Sequence, residues 1–529
     1  MAQQEQLVPS ASKTRRLSIV AAFIIFAALL VAAVILATHW PFSQQKVSQS
    51  LQEDWPGSLQ IAKFTRTYFP HPGFIAEDLV LHHKSVTSGR PLLVTIKKAT
   101  VQANYHDLLF RPGYISRILL EGLHFQVQAQ SQAGTTKEST ASPNQAANSS
   151  KSQKKGSTRL GEVDMPDSVL EVAGAKEQDP FAIHFHQLTF KNVREGESMS
   201  FDLAARIPFP EGDVQAQGEI GPRTAPRIED THVSATYTLE HGDLGTFRGI
   251  SGTLSAQGKV EGPLGHMETQ GTTDTQNFHV DSSSHVLPLR SKYVAFVDGT
   301  NGDVFLKEVN AALLKTSIHF DGAIAAKEGV KGKTVTLNAS VRDGHIEDLS
   351  RLFISSKTPP MEGGTSFRAR ISVPPGPQPF MNRVLIDGDF AMQQCSFTNP
   401  ERQASANQLS KKASGNKNEK ETQPVLADIK GHALLKNKVA KLTGVSYIVP
   451  SAEVDLDGTY ILESEKIDFH GNLKTAAELS KDTSGIKSVL LKPLDPLFKR
   501  KHAGAVVPVT MTGTFHNPNF AVSVIPGKK

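Results

Sequence analysis

Two patterns of apolar residues divide this chain. The first is an unbroken apolar run from Leu17 to Ala37, in which Ser18 is the only polar residue. As a helix, about 21 residues span about 31 Å, which matches the hydrocarbon core of a bilayer. The run is longer than the apolar part of a secretory signal peptide, and no small-residue cleavage motif ends it. The pattern therefore predicts one uncleaved N-terminal transmembrane helix over residues 17–37.

The charges that flank this run predict its orientation. Lys13, Arg15 and Arg16 precede it, and the next lysine or arginine is Lys46. Because positively charged flanks stay in the cytoplasm, residues 1–16 are expected there and residue 38 onward on the opposite side. We therefore expect a single-pass membrane protein whose N-terminus is cytoplasmic and whose bulk lies outside the cytoplasm.

The second pattern is a period-two alternation of apolar and polar residues, which recurs through the rest of the chain. Such alternation predicts strands with one buried face and one wet face. The clearest apolar rows are the candidates for lining the buried face: Leu123, Phe125, Val127, Val335, Leu337, Val507 and Val509. These residues would line either an open apolar groove or a closed core between two sheets, and the alternation is the same in both cases.

Glycines inside the alternating runs bear on the shape of the sheet. A glycine followed two residues later by an apolar residue recurs, for example at Gly218, Gly322, Gly388, Gly458 and Gly471. Glycine inside a strand commonly marks a bulge or a bend. The spacing therefore predicts a mainly β protein built on one elongated, curled antiparallel sheet, with ordinary hairpin glycines as the alternative interpretation.

Composition narrows the classes of function. The 57 basic and 52 acidic residues are well mixed and give a formal net charge of +5. A nucleic-acid partner would need clustered basic residues, so we expect none. Cys395 is the single cysteine of the chain and cannot form an internal disulfide. The fold must therefore be held by hydrogen-bonded sheet and by apolar burial.

Two polar stretches of low complexity mark the boundaries between regions. Residues 131–158 and 399–424 contain little that a core could bury, which is typical of linkers and long loops. We predict the following segments: a cytoplasmic tail at 1–16, the transmembrane helix at 17–37, an N-terminal β unit at 38–130, a disordered linker at 131–160, a middle β-groove region at 161–398, a flexible polar insertion with one or two helical turns at 399–424, and a C-terminal β unit at 425–529.

No motif in this sequence organises a catalytic, metal or cofactor site. The H-E-x-x-H, G-x-S-x-G and C-x-x-C patterns do not occur. Gly332-Lys333-Thr334 ends like a P-loop, but Lys327 replaces the first glycine and a strand pattern follows. His184 and His186 would share one face of a strand, without a third ligand near them in the sequence. We therefore expect no enzymatic activity, no bound metal and no cofactor.

Both ends of the region that follows the apolar run carry longer motifs. Residues 96–127 read IKKATVQANYHDLLFRPGYISRILLEGLHFQV: a strand, a turn with Leu108, Leu109 and Gly113, and an isoleucine-rich strand that ends in LEGL. Residues 507–520 read VPVTMTGTFHNPNF. Together with the N-terminal anchor, these motifs resemble the AsmA-like family of inner-membrane proteins of bacteria with two membranes. The resemblance is strongest over residues 59–127 and 425–525.

The resemblance implies a fold and a class of function. The implied fold is a long β-sheet folded lengthwise into a groove, apolar inside and polar outside, as in the bridge-like lipid carriers and relatives such as TamB. From it we expect a protein of the bacterial inner membrane, with its bulk in the periplasm, that shelters or transports phospholipid and contributes to outer-membrane biogenesis or lipid homeostasis. The alternative is an assembly factor for outer-membrane proteins that binds client strands at a free sheet edge. The expected partners are thus the inner membrane, phospholipid and outer-membrane assembly factors.

Overall fold

The structure is a computed structural model. The residues that it describes are 42–54, 57–84, 91–111, 113–127, 159–172, 181–194, 196–222, 228–281, 283–327, 329–330, 332–354, 356–414, 425–450, 452–475, 506–514 and 518–522. The predicted transmembrane helix at residues 17–37 and the predicted linker at 131–158 lie outside these ranges. Within these ranges, no helix combines the length and the apolar character that crossing a membrane requires.

The chain divides into two compact units, Met1–Ala182 and Ile183–Lys529. The elements of the first unit are α1 (Gln44–Asp54), β1 (Gly57–Thr67), β2 (Gly73–Lys84), β3 (Pro91–Gln102), α2 (Tyr105–Phe110), β4 (Tyr114–Val127), β5 (Arg159–Asp164) and β6 (Ser168–Val172). Strands β1 to β4 form an antiparallel meander.

The second unit is a longer meander. Its strands are β7 (Phe181–Arg194), β8 (Met199–Pro208), β9 (Glu211–Ile220), β10 (His232–Asp243), β11 (Ile250–Ser251), β12 (Thr253–Pro263), β13 (Met267–Val280), β14 (Leu287–Val297), β15 (Val304–Leu313), β16 (Thr316–Ala326), β17 (Lys333–His345), β18 (Met361–Val373), β19 (Leu385–Phe397), β20 (Ala427–Lys436), β21 (Val439–Val449), β22 (Ala452–Ile461), β23 (Lys466–Thr475), β24 (Val506–Thr514) and β25 (Pro518–Val522). Each strand pairs antiparallel with the next, except that β10 pairs with β12 and the two-residue β11 pairs with β13.

Three short helices interrupt the second meander at the ends of its strands. They are α3 (Ile346–Ser350), α4 (Phe380–Arg383) and α5 (Pro400–Ser414). The mainly β architecture and the long antiparallel sheet predicted from the alternation are therefore confirmed.

One part of the sheet departs from the antiparallel prediction. Strand β4 pairs in parallel with β5 and with β6. Parallel neighbours need a crossover connection of a dozen residues or more. Residues 128–158, between β4 and β5, supply that length.

The sheet of the second unit is curled, and a contact between the loops that follow two of its distant strands, β10 and β18, demonstrates it. The backbone N–H of Phe380, after β18, donates to the carbonyl of Arg248, after β10, at 2.8 Å. The Arg248 guanidinium donates to the carbonyl of Pro377 at 3.0 Å. Arg248 and Pro377 follow opposite ends of the strands, seven strand spacings apart. In a flat sheet they would lie about 50 Å apart, since strands are spaced at about 4.8 Å and rise by about 3.3 Å per residue.

Glycines allow neighbouring strands to come close inside this curl. A Cβ atom on Gly218 or Gly322 would lie 2.1 Å from a backbone oxygen of the next strand, and one on Gly458 would lie 2.2 Å away. Side-chain atoms do not occupy such positions without moving the backbone. These glycines lie within β9, β16 and β22, so hairpin turns do not explain them.

Replacing one of these glycines should therefore be costly. A Cβ on Gly471 of β23 would lie 1.7 Å from the carbonyl oxygen of Asp455. We expect Gly471→Ala to destabilise the protein by about 1–3 kcal/mol, the usual cost of overpacking. At Gly364 of β18 the nearest atom would be 3.6 Å away, so Gly364→Ala is the matched control and should be neutral or slightly stabilising. Thermal unfolding of both variants measures the difference, and equal melting temperatures would contradict the close approach.

Candidate functional site

The apolar face of β17 to β20 forms three rows of side chains that run across the strands. The first row is Leu337, Ile371, Ile386 and Leu435, which face one another in register. The third row contains Val341, Phe367 and Phe390. The middle row is Ala339, Ala369, Gly388 and Ala433. Two rows of large side chains therefore border a floor of small ones, and we call this surface the trough.

The trough is only partly filled by the protein itself. Ala339 is buried, at 1% exposed, but Ala369, Gly388 and Ala433 on the same floor are half-buried. Leu337, Ile371, Phe367 and Phe390 are also half-buried. Because successive rows along a strand are about 6.6 Å apart, the two bordering rows are separated by about 13 Å. That separation leaves room for an extended hydrocarbon chain above the small floor.

Helix α3 covers one border of the trough. Leu349 in α3 and Leu352 just after it pack against a buried cluster that includes Leu313, Ile318 and Val341. The carboxylate of Asp348 holds α3 in place, because it accepts hydrogen bonds from the Lys315 N–H at 2.9 Å and from the Thr316 hydroxyl at 3.0 Å.

Helix α4 covers the opposite border. Phe380 and Met381 pack against a cluster built on Val373, Val384 and Leu435. Arg383 fixes the loop before α4 by donating to the carbonyls of Gln378 at 2.7 Å and Pro374 at 2.6 Å. The contact of Arg248 with this loop brings the segment that follows β10 to the same border. The trough thus lies on the inside of the curl, with a helix at each border.

The structure places two of the predicted face residues at this trough. Leu337 belongs to the first row, and Val335 lies two residues before it on the same face of β17. Val335 packs against the cluster under α4. Both side chains are half-buried.

The other predicted residues lie elsewhere. Leu123 and Phe125 are on β4 in the first unit, where Leu123 is 3% exposed and Phe125 is half-buried. Val509 on β24 packs against a cluster of Ala427, Val449, Ala452 and Leu473. Val127 ends β4 and Val507 lies in β24, but the side chains of these two residues are not among those that the structure describes. The seven residues thus mark three separate places on apolar faces rather than one site.

A row of tyrosines and glycines makes the inner face of the second unit more polar on the strands from β10 to β14. Tyr237 of β10 faces Gly258, which faces Gly271, which faces Tyr293 of β14. The two tyrosine hydroxyls hydrogen-bond to each other, and that of Tyr237 also bonds to Thr269 Oγ1 at 2.7 Å. A Cβ on either glycine would lie within 2.8 Å of a tyrosine hydroxyl, so each ring covers a glycine. Hydroxyl groups therefore line the face here in place of hydrocarbon.

Burial of tyrosines predicts alkaline instability. Burial and the hydrogen bond to Tyr237 raise the pKa of Tyr293, and burial raises the pKa of Tyr447 to about 12. Both groups stay protonated in the folded state while the unfolded chain ionises near pH 10, so their stabilisation is present below pH 10 and is lost above it.

The measurement is denaturant unfolding at pH 8, 10 and 11. The free energy of unfolding should fall above pH 10 by up to about 1.4 kcal/mol per pH unit for each such group. Tyr293→Phe should show a shallower fall than the wild type, because one buried group no longer titrates. Parallel pH profiles for the two proteins would contradict the assignment.

Ion pairs occupy the opposite face of the strands. Arg206 bonds to Glu211 at 2.8 Å and to Asp213 at 3.0 Å, and Arg290 bonds to Asp274 at 3.2 Å. Exposed pairs of this kind contribute little stability. Their position shows instead that the sheet presents a charged face to water and keeps its apolar face inside the curl.

The P-loop-like stretch, the histidine pair and the single cysteine occupy ordinary structural positions. Lys333, at the P-loop-like stretch, donates to the Asn301 carbonyl at 2.9 Å and pairs with Asp303 at 3.1 Å. His184 and His186 are both exposed on β7, and a bulge falls between Phe185 and Gln187. The described residues contain no group of three or more His, Cys, Asp or Glu side chains that could hold a metal. Cys395 is 1% exposed, and burial raises the pKa of its thiol to about 11.

Several residues of the trough were not predicted from the sequence. Gly388 was predicted only as an in-strand glycine, and the floor residues Ala369 and Ala433 were missed because small residues give a weak alternation signal. Phe380 and Met381 were missed because a four-residue helix is too short to show a helical period. The signal that could have found them is the pair of apolar residues directly after a proline-rich turn.

Comparisons of this chain with protein-family models, with curated proteins and with solved structures found no match.

Proposed function

We propose that this chain is a membrane-anchored protein of the bacterial envelope that shelters or carries phospholipid, with the acyl chains lying along the apolar trough. The single observation that carries the proposal is the floor of small, half-buried residues between two rows of large apolar ones. A closed protein core would fill that space with its own side chains, because protein interiors are close-packed.

The proposed mechanism is passive. Apolar surface gains about 25 cal/mol for each Å² removed from water, or about 0.8 kcal/mol for each buried CH₂ group. An acyl chain in the trough would gain this along its length without any specific bond, so it could move from strand to strand at little cost. The proposed action needs no catalytic residue. The charged outer face keeps the exterior of the curled sheet in water.

Two features of the sequence support the envelope setting. The apolar run at residues 17–37 has the length of a membrane anchor, with its cations on the N-terminal side. The motifs at residues 96–127 and 507–520 resemble the AsmA-like family, for which a lipid-carrying groove is the implied architecture. The proposal therefore places the trough in the periplasm.

The lipid content of the purified full chain tests the proposal. Ala369→Trp would fill the floor of the trough, whereas Arg370→Trp changes the next residue of β18, which is exposed on the opposite face. We expect phospholipid to co-purify with the wild type and with Arg370→Trp, and to fall by at least half in Ala369→Trp. The phospholipid is extracted and quantified by mass spectrometry.

Thermal unfolding of the same samples shows whether each variant is folded. A folded Ala369→Trp protein that keeps its full lipid complement would overturn the proposal. So would a wild-type protein that carries no more phospholipid than its detergent control.

A further inference from the structure

The first unit exposes large apolar side chains at one end. Phe69 is 88% exposed and Phe110 is 71% exposed, and three further side chains of the same end are exposed to lesser degrees: Tyr68 at 53%, Leu109 at 45% and Tyr105 at 38%. We call these five residues the aromatic end. A cluster of exposed aromatic rings on a soluble surface usually marks an interaction site.

Two segments of chain build the aromatic end together. The turn between β1 and β2 carries Tyr68 and Phe69, and α2 carries the other three residues. The hydroxyl of Tyr105 donates to the carbonyl of Tyr68, which joins the two segments. The surface is therefore preformed by the fold.

The charges around the aromatic end are basic. The cationic side chains of Arg66 and Arg111 are exposed beside it, together with the imidazoles of His71 and His106. Asp107, the one carboxylate within residues 66–72 and 104–111, is 7% exposed and lies 3.9 Å from the Arg111 guanidinium. Aromatic rings together with exposed cations suit the interfacial layer of a bilayer that contains anionic lipid.

The described part of the chain begins at the same end. The ring of Phe42 lies 6.0 Å from that of Phe74, and the ring of Phe64 lies 5.0 Å from Phe74. Phe74 is the second residue of β2 and pairs with Arg66 beside the turn. From Phe42 the chain continues into α1, and β1 then runs from Gly57 back to the turn at Thr67.

Chain length sets how far this end can be from the apolar run. Residues 38–41 alone separate Ala37 from Phe42. Five residue steps reach at most about 18 Å. If residues 17–37 span a bilayer, Phe42 lies within that distance of its surface, and the aromatic end lies next to the ring cluster of Phe42, Phe64 and Phe74.

We infer that the aromatic end docks into the interfacial layer of the bilayer that holds residues 17–37, with Phe69 and Phe110 inserted among the lipids. The inference rests on the membrane anchor of the proposed function. It adds a contact that would bring the apolar face of the first unit to the membrane, since Phe74, Ala76, Ala99 and Val101 are buried on the strands next to this end.

Spin labels on the full chain test the docking. In a Cys395→Ala background, single cysteines replace Phe69 or Phe110, and Ser58 or His82 as controls. Ser58 and His82 are exposed and pair with each other at the far end of β1 and β2, about 33 Å from the aromatic end. Each labelled protein is reconstituted into vesicles of phosphatidylcholine and phosphatidylglycerol at seven to three.

The measured quantity is the collision rate of each label with oxygen, which concentrates in the bilayer, and with a water-soluble nickel chelate. Labels at Phe69 and Phe110 should be reached by oxygen and shielded from nickel at least several-fold relative to Ser58 and His82. Phe69→Ser, at a position too exposed to matter for folding, should reduce the shielding of a label at Phe110.

The possible failures differ from one another. Protein that floats with the vesicles but has all four labels open to nickel would overturn the docking and leave the anchor standing. Protein that does not float with the vesicles would overturn both the anchor and the docking. Neither result depends on whether the trough of the second unit holds phospholipid.

Discussion

Leu313→Asp is expected to abolish folding of the second unit. Leu313 is 1% exposed and lies in the cluster with Leu287, Ile318 and Val341 beneath α3. A carboxylate there would have no partner and no water, which is among the most costly changes a protein can suffer. The cost is comparable with the whole stability of an ordinary domain, about 5–15 kcal/mol.

The neighbouring residue gives a matched control. Leu314 is 40% exposed and has φ 52° in the turn after β15. Aspartate tolerates that left-handed conformation better than leucine does, so Leu314→Asp should fold normally. Circular dichroism and the yield of soluble protein distinguish the two variants. A folded Leu313→Asp protein would show that the cluster is not a closed core.

Leu337→Asp is expected to behave differently: the protein should fold, and its bound phospholipid should fall several-fold. Leu337 lies on the same face of β17 as Val341 but is half-buried at the border of the trough. A carboxylate there can reach water along the trough, so the expected loss of stability is about 1–3 kcal/mol. The same charge would lie against acyl chains and exclude them.

Ser317→Asp is the control for the charge itself, because Ser317 is exposed on the adjoining strand β16. Lipid extraction and thermal unfolding of both variants provide the comparison. If Leu337→Asp fails to fold, the face at that position is closed core. If it folds and retains its lipid, the trough is not where the lipid lies.

The alternation of apolar residues was enough to predict a mainly β chain and the apolar face of β17. Val335 and Leu337 were predicted from the residues that flank them, and both fall on the apolar face of β17. A period of two is a local property of the chain, so it can be recognised in the sequence without knowledge of tertiary contacts. Whether a face is open or closed depends on what crosses it, and α3 and α4 come from separate segments.

Helix α5 shows why one prediction fell short. The sequence suggested one or two helical turns within residues 399–424, because few residues there are apolar. The structure has a helix of 15 residues, Pro400–Ser414. Polar contacts hold it: Gln403 Nε2 donates to the Val425 carbonyl at 2.8 Å, and Ser410 Oγ donates to the Pro450 carbonyl at 2.8 Å. The hydropathy of a sequence does not reveal such polar contacts with other segments.

The sequence predicted that the sheet is curled, but it did not predict which strands the curl brings together. In-strand glycines predicted a curled sheet, and at Gly218, Gly322 and Gly471 the structure shows a close approach to the neighbouring strand. Arg248 joins the loops after β10 and β18 through its guanidinium, which donates to Pro377 129 residues away, and through its carbonyl, which accepts from the Phe380 N–H. No local pattern carries that information, since backbone donors and acceptors are the same at every residue.

The central claim is that phospholipid lies against the trough, and photocrosslinking at two adjacent residues tests it most directly. The photoreactive amino acid p-benzoylphenylalanine replaces either Ile386, in the first row of the trough, or Asp387, which is exposed on the opposite face of β19. The full chain is made in bacterial cells grown with radioactive phosphate, irradiated, and purified under denaturing conditions. The account predicts a radioactive phospholipid adduct at Ile386 and none at Asp387. Equal labelling at the two positions, or no adduct at Ile386, would contradict it.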